Sequence, residues 1–498
     1  MSNSSGPPGR TQPGWDNSAQ VRADRARAKI LLIYAGGTLG MRRSQVNNPA
    51  SPLTNVACAD LAEQLLQAEF GRQEEIYWQL RGLEDHQGRE VPPLDSSQVG
   101  PQHWIWMASM LERYYGRFDG FVILHGTDTL AYTASALSFL LVNLGKPVVL
   151  TGAQLPIFEL RSDARQNVLH AMLVAAARAS GLPVVPEVTV CFADVLLRGN
   201  RARKASTSGW QGFVSPNYPP LGSLGEGIRI YSDLVLPMPP PDAAFYVGRA
   251  LEDQVLDLTL FPGIRASQVD VLLRQPELRG VVLRAYGAGN APQDPQLFDC
   301  LCRALDEGKT ILVVTQCSEG RVDLGRYASS RGLLQRGVAS GFDLTPEAAL
   351  TKLMWVLAHE RGAEIGAQLQ TDQRGEQSYA RHEVMFPVPA EPARRSYDLS
   401  ARAQGAVQRR HLERAILRAS TGPLPGEVRL FLNADREQPE ESHLLGRLAG
   451  ESGEHCLEVT EVVRRFMVDD RAFHVQLQAS EEFQLRSLDL LLTTAIPR

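Results

Sequence analysis

The stretch Lys29-Ile30-Leu31-Leu32-Ile33-Tyr34-Ala35-Gly36-Gly37-Thr38-Leu39-Gly40 decides how the chain is read. An unbroken apolar run this short suits a strand buried on both faces, in the middle of a parallel sheet. The two glycines then let the backbone turn tightly and leave the Thr38 hydroxyl at the sheet edge. The same unit recurs along the chain. Residues 121–124 (FVIL) end at His125-Gly126-Thr127-Asp128, and 147–150 (PVVL) end at Thr151-Gly152. Further apolar strands are expected at 188–192, 280–283 and 310–314. Helices are expected over 129–144, about 162–179, and between the last two strands. Apolar strands alternating with helices predict an α/β fold with a mainly parallel sheet.

Composition agrees with a large folded core. At roughly 100–200 residues per domain, a chain of 498 residues implies two to four domains. Hydrophobic residues make up 44% and charged residues 21%, which excludes a mainly disordered, collagen-like or fibrous chain. The net charge of −5 offers no basic excess for nucleic acid or an acidic membrane surface. No apolar stretch approaches the ~20 residues needed to cross a bilayer. The N-terminus lacks the apolar segment of a secretory signal, so none is expected. Cysteines 58, 191, 300, 302, 317 and 456 are scattered without a CxxC pair, and fit neither a disulfide framework nor a metal site. Cys300 and Cys302 read as packing residues of a helix.

The expected organisation is a disordered tail over 1–28, a larger α/β lobe over 29–215, and a connection over 216–254 dense in Pro and Gly. A smaller α/β lobe over 255–372 follows, and then a small β-rich domain over 376–498. In that last region 427–432, 457–460 and 472–477 roughly alternate apolar and polar residues, as strands with one wet face do. Residues 484–494 are a further strand candidate.

In an open parallel α/β sheet, ligands bind beyond the carboxyl ends of the strands. Thr38 in its glycine turn reads either as a nucleophilic or ligand-binding hydroxyl or as an ordinary tight turn; no GxxxxGK[ST] is present to make a phosphate loop. Thr127 and Asp128 offer a hydroxyl and a carboxylate at a second strand end, where Asp128 also reads as a helix N-cap. His125 reads as a satisfied interior residue. Lys204, in the polar loop Arg198-Gly199-Asn200-Arg201-Ala202-Arg203-Lys204, reads as part of a solvated face or as the cation that keeps a hydroxyl reactive. Asp95-Ser96-Ser97 reads from spacing as the cap of a helix over 101–115.

Taken together, IYAGGTLGM, GFVILHGTDTLAYTASALSFLL, GKPVVLTGAQLPIFELRSDARQN, RGNRARKA and LRAYGAGNAP resemble the cytoplasmic, bacterial-type L-asparaginases, in order and spacing. The resemblance covers about residues 29–372. It implies a two-lobed α/β fold, in homodimers or homotetramers, that hydrolyses L-asparagine to L-aspartate and ammonia without a metal or organic cofactor. It implies Thr38 as the nucleophile that forms an acyl-enzyme, and Thr127, Asp128 and Lys204 as the partners of catalysis. Asp95, Ser96 and Ser97, with Thr127 and Asp128, match the substrate-holding positions. Asn290, in Gly287-Ala288-Gly289-Asn290, matches a segment that approaches a neighbouring subunit's site. Arg284 and Cys317 match two positions of a regulatory asparagine site, and Arg203 stands where such members typically carry Thr.

The lid departs from the family. Between Met41 and Thr54 there is no Tyr to close over the substrate, and Asn47-Asn48-Pro49 stands at about that place. A lid excludes water and completes a site, so reduced, altered or absent turnover all follow as alternatives. Three functions compete: an amidohydrolase acting on free L-asparagine, a related amidase acting on carrier-linked Asn or Gln amides, and a non-catalytic asparagine-binding protein. The net charge of −5 weighs against a tRNA carrier.

Overall fold

Ile30, Leu32 and Tyr34 pack into one layer of the protein and Leu31 and Ile33 into another, as the two-residue period of a strand requires. The computed structural model describes residues 15–16, 27–45, 51–67, 75–326, 328–385, 395–398, 412–424, 428–433, 444–448, 453–469, 474–478 and 485–495. The strand Ala28–Tyr34 lies between Ile76–Gly82 and Gly120–Leu124, parallel to both. Val148–Thr151 and Val188–Phe192 extend this parallel set. One face is covered by the helices Pro101–Tyr114 and Leu130–Leu140, through Trp104, Met107, Leu111, Leu130 and Leu137. The other is covered by Cys58–Gln67 and Ala164–Ala175, through Leu61, Leu65, Val168 and Met172. Each fully buried Leu or Ile contributes about 1.5–3 kcal/mol, so the apolar run at 30–33 is a large part of what fixes this sheet.

The spatial order of the parallel strands is 76–82, 28–34, 120–124, 148–151, 188–192. The chain therefore starts in the middle, steps to one side, and returns to continue on the other. The order reverses between 28–34 and 120–124, which makes the carboxyl ends of those two strands the topological switch point. Gly36-Gly37-Thr38 and Gly126-Thr127-Asp128 lie there.

Several expectations shift. The helix expected over 129–144 ends at Leu140, and Leu141–Val142 pairs with Tyr246–Val247 instead. Ile76–Gly82 went unrecognised because Gln79 and Arg81 interrupt its apolar run, yet both are buried. Disorder was expected to residue 28, but Trp15 pairs with Leu80 and Asp16 with Gln79, and the Tyr77 hydroxyl donates to Asp16 at 2.9 Å. Residues 1–14 and 17–26 lie outside the described residues. The stretch 216–254, read as a connection, carries Gly222–Leu224 and Ile228–Ile230, which add antiparallel strands to this same sheet beyond Val195–Arg198.

Two units divide the chain. The first comprises residues 1–255, 344–359 and 373–376; the second comprises 256–343, 360–372 and 377–498. In the second, a four-stranded sheet runs in the order Val255–Thr259, Gly280–Ala285, Thr310–Thr315, Ala339–Ser340, with the last three parallel. Residues 377–498 form two antiparallel four-stranded sheets. One has the order Tyr379–Met385, Leu485–Ala495, Leu412–Thr421, Gly453–Glu458, and the other Arg395–Asp398, His474–Gln478, Val428–Asn433, Leu444–Leu448. The strand expected at 457–460 ends at Glu458, and Thr460–Asp469 is a helix. Leu417, Leu488 and Leu490 of the first sheet share a core with Leu430 and Leu477 of the second. Ile416 and Leu491, on its other face, belong instead to the core built by Val281, Leu283, Ile311 and Val313. Residues 377–498 thus share the core of the second lobe as well as forming one of their own. Arg414 reinforces the contact, reaching Asp323 at 2.5 Å and the Leu324 carbonyl at 3.1 Å.

Candidate active site

Three loops meet at the switch point with almost nothing between their backbones. A Cβ on Gly37 would lie 2.1 Å from the Gly126 Cα, and one on Gly36 would lie 2.1 Å from the Leu94 carbonyl oxygen. Both glycines have positive φ, 123° and 87°, which L side chains rarely adopt. The Gly36-Gly37 turn is thus required twice, by conformation and by contact. It sets Thr38 beside the loop carrying Thr127 and next to the segment carrying Asp95, Ser96 and Ser97. Thr38 opens a one-turn 3-10 helix, Thr38–Gly40, and is half-buried.

Lys204 completes the set. Its Nζ donates to Thr127 Oγ1 at 2.7 Å and to Asp128 Oδ1 at 2.6 Å. Asp128 is 64% exposed, so the pair contributes little to stability, and its consequence is chemical. The structure does not use Asp128 as a cap: the helix begins at Leu130 after Thr129. The Asp128 N–H donates to Ser96 Oγ at 3.3 Å, and Thr129 Oγ1 donates to the Ser96 carbonyl at 2.7 Å.

Asp95 does not cap the Pro101–Tyr114 helix, which starts after Gly100. It caps the 3-10 turn Ser96–Gln98, accepting the N–H and the hydroxyl of Ser97, both at 2.8 Å. These hydrogen bonds to the ionised form hold its carboxyl below the usual range. Ser96 is buried under Gly126, whereas Asp95 and Ser97 are exposed. His125 is interior, as its sequence context suggested. Its ring bonds the Gly126 carbonyl at 2.7 Å and the Thr133 hydroxyl at 3.0 Å, and burial lowers its pKa to about 4.

The loop that delivers Lys204 is fixed by buried polar groups that its sequence did not single out. Arg198 pairs with Glu187 at 2.6 Å, both 4% exposed. Asn200 Nδ2 donates to the Arg374 carbonyl at 2.9 Å and Arg201 Nε to the Gly375 carbonyl at 2.8 Å. That acceptor segment is pinned in turn. Glu376 accepts the N–H of Gln373 and Arg374 and pairs with Lys352 at 2.6 Å, with both side chains fully buried. A buried pair of this kind is costly to break on one side. Such a remote segment has no sequence signal of its own, since 170 or so residues separate donor from acceptor.

The remaining candidates lie elsewhere. Arg203, in the first unit, is 3.4 Å from Glu347. In the second unit, Arg284 Nε donates to Asp257 at 2.8 Å, and Cys317 is exposed just beyond Thr315, the strand partner of Ala285. Arg284 and Cys317 therefore share the carboxyl end of one sheet. Asn290 closes a tight turn, its N–H donating to the Tyr286 carbonyl at 2.8 Å. Asn47 and Asn48 lie outside the described residues.

A doubly wound sheet with two threonines, a carboxylate and a lysine at its switch point defines an arrangement suited to acyl transfer through a hydroxyl nucleophile. Comparison with known proteins makes this particular. The family described as Asparaginase, N-terminal matches residues 29–236, and the Glutaminase/Asparaginase C-terminal domain matches 254–368. L-asparaginase 1 of Escherichia coli K12 is 42% identical over 352 residues, 70% of this chain and 98% of that one. The 60 kDa lysophospholipase of Mus musculus is 38% identical over 386 residues, and there the match spans 74% of this chain and 65% of the relative. The crystal structure of L-asparaginase I from Vibrio cholerae matches with a TM-score of 0.61 at 37% identity, covering 70% of this chain and 99% of that one. The chain belongs to the asparaginase family.

Proposed function

We propose that this protein hydrolyses L-asparagine to L-aspartate and ammonia, with Thr38 as nucleophile. The observation that carries this reading is the bridge from Lys204 to Thr127 and Asp128 at the loop packed against the Gly36-Gly37 turn. Thr38 Oγ attacks the side-chain amide carbon, the C–N bond breaks, ammonia leaves with a proton, and an aspartyl ester of Thr38 remains. Water then attacks that ester, restoring the hydroxyl and releasing L-aspartate. An amide is a poor electrophile, so the attacking oxygen needs a base within reach. The proton of the attacking hydroxyl passes by way of Thr127 and the Lys204–Asp128 bridge to the leaving nitrogen. Asp95 and Ser97 hold the substrate's α-ammonium and α-carboxylate groups. Ser96, whose hydroxyl accepts the Asp128 N–H, supports the loop from beneath.

The test is ammonia release by the purified protein over an L-asparagine concentration series, beside L-glutamine. Saturable release with asparagine is expected. A second reading, asparagine binding without turnover, is favoured by the absence of Tyr between Met41 and Thr54. No release together with a raised melting temperature would select it. The carrier-linked amidase reading predicts release only from peptide- or tRNA-bound amides.

The same reading carries further proposals. The chain works in the cytoplasm as a homodimer or homotetramer, in which Asn290 faces a neighbouring copy's site. Arg284 and Cys317, at the carboxyl end of the second unit's parallel strands, belong to a regulatory asparagine site. Light scattering tests the assembly, and a sigmoidal rate curve flattened by Arg284→Ala tests the regulation. The division into 29–215, 216–254, 255–372 and 376–498 is a proposal for the working parts of the chain, which limited proteolysis tests.

A further inference from the structure

Residues 377–498 lie beyond the matched family segments, and a cavity of about 330 Å³ opens where they meet the second lobe. That volume is at the lower end of the roughly 300–1,000 Å³ of small-molecule sites. Part of the wall is apolar, with Ile311, Leu334 and Leu491. The charged part has one sign: Lys309, Arg381 and Arg418 line the cavity, and among the described residues no carboxylate does. Glu307 pairs with Lys309 and Asp489 with Arg418, and neither carboxylate lines the cavity. Cations gathered in a concave, partly apolar site concentrate positive potential and draw anions.

A glycine in the cavity wall has room for a side chain. Gly366, on the helix Ala363–Leu369, lines the space, and a Cβ placed there would have no heavy atom within 4 Å.

We propose that this cavity is a binding site for a small organic anion, a carboxylate or phosphate group on a body with apolar surface. The site joins the second asparaginase lobe to residues 377–498 and shares no residue with the Thr38 site. Lys309, Arg381 and Arg418 hold the charged head, and the apolar wall takes the body.

The experiment is calorimetric titration of the full-length protein with phenyl phosphate, phenylacetate and the neutral benzyl alcohol. At least one of the two anions is expected to bind, and the alcohol to bind tenfold or more weakly. Whichever anion binds more tightly identifies the head group. Arg381→Gln should weaken the anion about tenfold, the effect of losing one charge-assisted hydrogen bond. Gly366→Phe should fill the cavity and abolish binding while leaving the far-UV spectrum and the asparagine reaction unchanged. Binding of neither anion, equal binding of the alcohol, or undiminished binding to Gly366→Phe would each overturn the proposal.

Discussion

The loops at the switch point and the strands of residues 377–498 are held together by opposite means. At the switch point, glycine lets backbone pack on backbone. Gly37 meets Gly126 and Gly36 meets Leu94 at distances no side chain would allow. In residues 377–498, side chains do the joining, with Leu417 and Leu490 turned into one core and Ile416 and Leu491 into another. The first arrangement fixes a few polar atoms closely and tolerates almost no change. The second spreads its energy over many apolar contacts and yields gradually.

That contrast orders the expected effects. The largest is chemical: Lys204→Met should lower kcat by about a thousandfold, within the range for loss of a positioned acid–base group, with little change in melting temperature. A variant that kept most of its rate would remove Lys204 from the reaction. Next is Gly37→Ala, whose Cβ would meet the Gly126 Cα at 2.1 Å in a backbone of positive φ. Shifting the Thr38 loop should cost about a hundredfold in kcat/KM and lower the melting temperature too, whereas an unchanged rate would show that the close approach does not position Thr38.

In the other region, Leu491→Ala should cost about 2–5 kcal/mol in denaturant unfolding, because Leu491 is 4% exposed within the second lobe's core. If stability did not change, the shared core would be refuted. The smallest effect is a pH dependence from His125. Burial holds its folded pKa at about 4, below the ordinary value of 6.5. Between those values the unfolded chain binds the extra proton, so stability rises with pH through that window and falls as the pH drops from 6.5 toward 4. The loss is at most about 3 kcal/mol. Melting temperatures at pH 7 and pH 5 should therefore diverge in the wild type, and less so in His125→Gln.

The same contrast explains what could be read from sequence. Residues 30–34 and 121–124 announce buried parallel strands because both faces are apolar, and the glycines after them mark where a ligand approaches. Thr38, Thr127 and Asp128 follow directly from that reading. Lys204 was a candidate only, because its loop is held by the carbonyls of residues 374 and 375, far along the chain. Buried Gln79 and Arg81 break the apolar pattern of Ile76–Gly82, and Arg414 and Arg418 break that of Leu412–Thr421, so neither strand stands out in the sequence. One of those, Arg418, pairs with the buried Asp489 at 3.1 Å, a partner local sequence does not reveal. Asp95 and Asp128 both read as caps of α-helices, and neither caps one: Asp95 caps the 3-10 turn Ser96–Gln98, and the helix after Asp128 begins only at Leu130.

The most direct test of the account is Thr38→Ala, measured for both L-asparagine binding and ammonia release. Binding close to that of the wild type with no detectable ammonia is expected, since Asp95, Ser97 and the Lys204 bridge remain while the attacking oxygen is gone. Ammonia release by Thr38→Ala at a rate near the wild type's would contradict it, and would move the nucleophile away from the Gly36-Gly37 turn.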